Sequence, residues 1–192
     1  MAITRRAALG GLLLGAGYAL LGEDIPMASA ATAQGSSPKA MRVYVGRYTW
    51  GPGAGKGIGI YRLDLASGAL TPEGEAPVVD SPSFLAIHPS RKYLYAVNEV
   101  GQFQGKPQGA VTAFAVDPKD GKLTVLNQQP SGGNGPCFVT VDHSGRNALV
   151  ANYGSGSIAV LPIGAAGRLG AHSSVDQHHG KGVNPQRQEG PH

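Results

Sequence analysis

One cysteine, Cys137, occurs in 192 residues, so no intrachain disulfide can form. Charge is scarce too. Asp, Glu, Lys and Arg make up 15% of the chain, and the formal net charge is +4. No Lys/Arg run and no interleaving of basic with aromatic residues is present, which argues against a nucleic-acid partner. The longest apolar stretch, Ala7 to Leu21, falls short of the about 20 residues that a membrane span needs. Beyond it, no segment shows helical periodicity.

The sequence does have turns and short strands. Glycine reaches 30 residues, a composition suited to many tight turns. A motif recurs through the chain. Pro82-Ser83, Pro136-Cys137 and Pro191-His192 each stand before a short apolar run, 54 and then 55 residues apart. Phe84 to Arg91 matches Phe138 to Arg146, and Tyr95 to Glu99 matches Val150 to Tyr153. A β-rich repeat of about this length is the mark of a propeller blade or a related array.

The reading is all-β: a β-propeller of four-stranded antiparallel blades, with about the first three present. Strands are expected at 42–48, 57–65, 69–77, 84–88, 93–98, 110–117, 123–128, 138–141, 147–152, 157–163 and 169–175. Ser67-Gly68, Lys119-Asp120-Gly121 and Ser144-Gly145 supply the turn chemistry. If the strands of a unit are A to D, unit one lacks A, units two and three are complete, and unit four stops at the start of A. Closing a propeller takes roughly 4 to 8 blades. The sequence is therefore expected to be the N-terminal part of a longer ring, and the isolated piece is expected to be unstable or to aggregate.

The N-terminus reads as a targeting segment. Thr4-Arg5-Arg6, the apolar stretch and small residues near Ala28-Ser29-Ala30 and Ala31-Thr32-Ala33 form a signal peptide over 1–33, of twin-arginine type. Residues 34–41 form a polar linker, and 42–192 the propeller. Residues 1–33 contain Arg5, Arg6, Glu23 and Asp24, so the net charge stays +4 without them. The expected location is periplasmic or extracellular, with no stable membrane span after signal removal. Export fits a chain that folds without disulfides.

Antiparallel order places the start of A, the end of B and the D–A loops at one end of the blades. Ser83, Cys137 and His192 share one repeat position there. Asn98-Glu99 and Asn152-Tyr153 share another, with Arg47-Tyr48 the counterpart in unit one. The last D–A loop contains His178, His179, Lys181, Arg187, Gln188 and Glu189. Such a face can bind an anionic polar ligand, with Arg gripping carboxylate or phosphate and His or Glu exchanging protons. The His178-His179 pair reads as solvated rather than metal-binding. Cys137 reads as a packed small residue, because Ser83 replaces it in unit two. The glycine-rich 51–57 segment lacks phosphate-loop spacing and joins two strands.

The chain resembles the bacterial seven-bladed propeller lactonases, typified by 6-phosphogluconolactonase and related to carboxymuconate-cyclising enzymes. The residues that carry the resemblance are Tyr44-Val45-Gly46, Tyr48-Thr49, Gly57-Ile58, Tyr61, Pro82-Ser83, Leu94 to Glu99, Gly121 to Leu123, Ala151 to Tyr153, Gly156-Ser157, Arg187-Gln188 and Pro191-His192. The resemblance implies hydrolysis of a sugar lactone by a protein that is monomeric at full length and needs no cofactor. The expected catalytic groups are His192, Arg187 and Glu99. Asn98, Asn152, Gln188 and His179 are expected to bind substrate, and no metal is expected. The same anion-binding mouth would serve a lactonising cycloisomerase or a non-catalytic binding propeller.

Overall fold

In the computed structural model, the described residues are 39–184, 186, 190 and 191. The expected signal peptide and most of the linker lie outside them, as do Arg187, Gln188 and His192. Among the described residues there are eleven strands and no helix. The strands are β1 (Ala40–Val45), β2 (Gly59–Asp64), β3 (Leu70–Glu75), β4 (Leu85–Ile87), β5 (Tyr93–Asn98), β6 (Ala110–Val116), β7 (Leu123–Pro130), β8 (Pro136–Val141), β9 (Asn147–Asn152), β10 (Ser157–Pro162) and β11 (Ser174–Gln177).

They form three antiparallel sheets. The first is three-stranded, β1-β2-β3, and the others are the complete blades β4-β5-β6-β7 and β8-β9-β10-β11. Within each sheet every strand pairs with the next in sequence, as in a meander. The partial β-propeller is thus as expected, including the missing first strand of unit one among the described residues.

Strand alternation explains the packing. Successive side chains of a strand face opposite sides of its sheet. On β5, Leu94 and Ala96 join Ile60 of the first sheet and Ile58, Ala76 and Val79 from the segments flanking it. Tyr95 and Val97 join Val139, Val150 and Leu161 of the third. The middle blade is therefore covered on both faces, which is why β5 reads as an unbroken apolar run. Fully burying each Leu, Ile or Val contributes about 1.5–3 kcal/mol.

The recurring prolines have a structural cause. A Cβ on Gly109, just before β6, would run into the Pro136 ring, and one on Gly156, just before β10, would run into Pro191. Gly57, before β2, lies 4.0 Å from Pro82 Cγ by the same measure. At each seam, the proline that opens a unit sits on a glycine of the unit before it. Only a residue without a side chain allows that approach at Gly109 and Gly156.

The last strand differs from expectation. It was placed at 169–175 but runs from Ser174 to Gln177. Asn127, on β7 of the preceding blade, captures the Leu169 backbone. Its Nδ2 donates to the Leu169 carbonyl at 2.7 Å, and its Oδ1 accepts from the Leu169 amide at 3.0 Å. Leu169 itself is buried. Regular pairing resumes only after the chain turns back onto β10, through Ser173 N–H donating to Val160 O.

Candidate active site

The loop from β3 to β4 is locked to the end of β5. Ser81 is buried and has a left-handed backbone (φ 40°). Its carbonyl accepts from the Ser83 amide at 2.8 Å and from the Glu99 amide at 3.0 Å. Thr49, in the loop after β1, bonds the Ser81 amide through Oγ1 at 3.1 Å. One strained residue thus draws Ser83, Glu99 and the end of the first sheet together.

The side chains then meet. Ser83 Oγ donates to Glu99 Oε2 at 2.5 Å, and the Tyr48 hydroxyl donates to the same oxygen at 2.9 Å. Glu99 and Ser83 are half-buried, while Tyr48 is 43% exposed. The hydrogen bond to the Glu99 carboxylate, followed by burial, pushes the Tyr48 phenol up from its ordinary pKa and keeps it a proton donor. Two O–H donors on one carboxylate oxygen fix its direction. The result is an oriented acid at the end of the middle blade, with partners 16 and 51 residues away in sequence.

Asn98 and Asn152 lie deeper than expected. The sequence suggested that they orient substrate hydroxyls, but they are 2% and 1% exposed. Asn98 Nδ2 donates to Asp80 O at 2.7 Å, and Asn152 Nδ2 donates to Ser131 O at 3.1 Å. Each asparagine clamps its own D–A loop beneath the surface. Glu99 directly follows β5, at the strand end that the sequence indicated, and is half-buried. His179 follows β11 and is exposed. Arg187, Gln188 and His192 fall outside the described residues. Among the described residues no group of three His, Cys, Asp or Glu is arranged to hold a metal ion.

The sequence missed two partners. Ser83 stood only as the repeat counterpart of Cys137 and His192, with no role of its own, and Tyr48 only as a positional counterpart of the later strand ends. Their shared repeat end with Glu99 was the available signal. Trp50, the single tryptophan, was not singled out. It is 65% exposed and meets the Tyr48 ring edge-on, with centroids 5.5 Å apart.

Successive four-stranded meanders packed face to face, with an oriented carboxylate at their shared end, define a partial β-propeller with a candidate site at that end. A sequence profile described as "Lactonase, 7-bladed beta-propeller" matches residues 42–192, and the chain belongs to that family. It is 36% identical over 149 residues to the 6-phosphogluconolactonase of Bacillus subtilis, covering 78% of this chain and 40% of that protein. A crystal structure of a candidate 6-phosphogluconolactonase from Bacteroides fragilis superposes with a TM-score of 0.73 at 38% identity, over 82% of this chain and 42% of that one. The periplasmic gluconolactonase of Pseudomonas aeruginosa gives a TM-score of 0.69 at 34% identity, over 77% and 41%. The chain thus spans about 40% of the length of the curated relative it matches from Bacillus.

Proposed function

We infer that the protein hydrolyses a sugar lactone, in the manner of a 6-phosphogluconolactonase, at the mouth of the propeller channel. The observation that carries this reading is the Ser83–Glu99–Tyr48 cluster in a chain of the lactonase family. Similarity to a 6-phosphogluconolactonase and to a gluconolactonase supports the substrate class.

The chemistry follows from the groups. Glu99 takes a proton from water as the oxygen attacks the lactone carbonyl carbon. The tetrahedral oxyanion collapses, the ring C–O bond breaks, and the ring oxygen leaves as a hydroxyl after protonation. The product is an open-chain sugar acid. Arg187 would neutralise the oxyanion or hold a phosphate or carboxylate, and His192 would share proton transfer. Gln188 and His179 would contact hydroxyls. Asn98 and Asn152 act by holding the loops that present these groups.

Hydrolysis of D-glucono-1,5-lactone and its 6-phosphate by the full gene product, corrected for spontaneous opening, tests the reading. Catalysed opening of either lactone is expected, and a rate no faster than background sinks the proposal. Export rests on Thr4-Arg5-Arg6, the apolar stretch after it, and similarity to a periplasmic enzyme. A cytoplasmic protein that retains residues 1–33 in cells would refute it.

A further inference from the structure

We propose that Trp50 is a stacking platform for the apolar face of a six-membered sugar lactone, placed beside Glu99 by Tyr48. This deepens the lactonase reading and rests on it. A cavity of about 440 Å³ is lined by Arg47, Tyr48, Trp50 and residues 51–54. It falls in the range of about 300–1,000 Å³ that small ligands occupy. Tyr48 belongs to both places: its ring supports Trp50 and its hydroxyl holds Glu99. Tyr48, which lines the cavity together with Trp50, is thereby its link to Glu99.

The loop keeps the indole accessible. Gly51 and Gly53 adopt left-handed conformations (φ 81° and 78°), and a side chain at either would meet nothing within 4 Å. The Gly55 amide donates to Tyr48 O at 2.9 Å and closes the loop. A large aromatic side chain left this exposed on a braced loop suits a ligand with one apolar and one polar face, as a sugar ring has. Arg47, the cationic side chain lining the cavity, is already engaged. Its Nη2 lies 3.1 Å from Glu75 Oε1, and its Nε donates to Gly57 O at 3.3 Å. Recognition at this wall is therefore of the ring, which phosphorylated and unphosphorylated lactones share.

The test uses the full gene product with Trp50→Ala and Trp50→Phe, both lactones, and 1,5-anhydro-D-glucitol, a six-membered sugar ring with no carbonyl to attack, as a non-reacting probe. Trp50→Ala is expected to lower kcat/KM about tenfold for both lactones, carried by KM, with Trp50→Phe recovering part of the loss. Indole emission, taken as the wild-type minus Trp50→Phe difference, is expected to change saturably with the anhydroglucitol. Unchanged KM in Trp50→Ala overturns the platform, and so does an emission already shifted to the blue and indifferent to the anhydroglucitol, which would mean that other protein covers the indole. Lactone hydrolysis with a silent Trp50 removes the platform and leaves the lactonase reading standing. A saturable Trp50 response without hydrolysis does the reverse.

Discussion

The ends of the two complete blades have the same backbone and different chemistry. In both, a buried asparagine closes the second strand and donates to the incoming loop, from Asn98 to Asp80 O and from Asn152 to Ser131 O. The next residue's amide donates to a loop carbonyl, from Glu99 to Ser81 and from Tyr153 to Gly135. Both acceptor residues have positive φ. On that shared frame, the middle blade presents Ser83 and Glu99, and the third presents Cys137 and a Tyr153 that is 50% exposed. Repetition supplies the scaffold, and divergence at two positions supplies an acid in one blade alone. A functional position in a repeat protein is therefore found by subtracting the copies from one another.

The sharpest way to break this comparison is to remove the acid. Glu99→Gln should lower kcat/KM for lactone opening by about 10²–10⁴, the range for losing a general base. Tyr153→Phe at the equivalent position should change it by less than about threefold, since that blade presents no carboxylate there to act as a base. Equal effects from the two would dissolve the distinction between the blades.

The shared frame can be tested next. Asn98→Ala removes the donor to Asp80 O and leaves Thr112 Oγ1, which bonds Asn98 Oδ1 at 2.6 Å, without its acceptor. A loss of about 1–3 kcal/mol in chemical denaturation is expected. No change would mean that the loop holds itself. A smaller effect should come from repairing the third blade. Its asparagine has a buried Oδ1 with no hydrogen-bond partner. The strand registers explain this, because Ala159 stands where Thr112 stands in the middle blade. Ala159→Ser should stabilise by about 1 kcal/mol by supplying the missing donor. A neutral or destabilising result would show that the oxygen is already satisfied or the site too tight.

The opposite ends of the blades offer the smallest effect. At the first turn, His88 in the middle blade reaches across the seam to Gly145 O at 2.8 Å. Its repeat partner, Asp142, instead accepts from Asn147 Nδ2 at 2.7 Å and Ser144 Oγ at 2.8 Å within its own turn. These bonds, that from Asn147 foremost, hold the Asp142 carboxyl below its ordinary pKa. Its stabilisation is therefore complete above the unfolded value of about 3.9 and is lost as pH falls through the lower folded value. Melting temperatures of wild type and Asp142→Asn should differ slightly near pH 7 and converge in strong acid. A constant offset at every pH would refute the assignment.

Much of the fold was legible because its signals are local. Alternation on β1 and β2 and the apolar run of β5 reveal strands, and Ser67-Gly68 or Ser144-Gly145 reveal the turns between them. Copying one unit onto the next then places Glu99 at a strand end. The rest depends on contacts distant in sequence. Asn127 holds the Leu169 backbone from 42 residues away, which no window over 169–175 could reveal. Tyr48 finds Glu99 across 51 residues. An asparagine at a strand end reads alike whether it faces ligand or clamps a loop, so Asn98 and Asn152 were assigned to the surface when they lie below it.

The proline–glycine seams have a consequence for how such a chain could grow. Each unit opens with a plug, such as Pro136, and contains a socket, such as Gly156, that receives the plug of its successor. A stretch of gene coding for one unit therefore encodes both halves of the joint. A duplicated copy inserted in frame arrives already mated to the copies on either side, and blade number can change by whole steps without a new interface being invented.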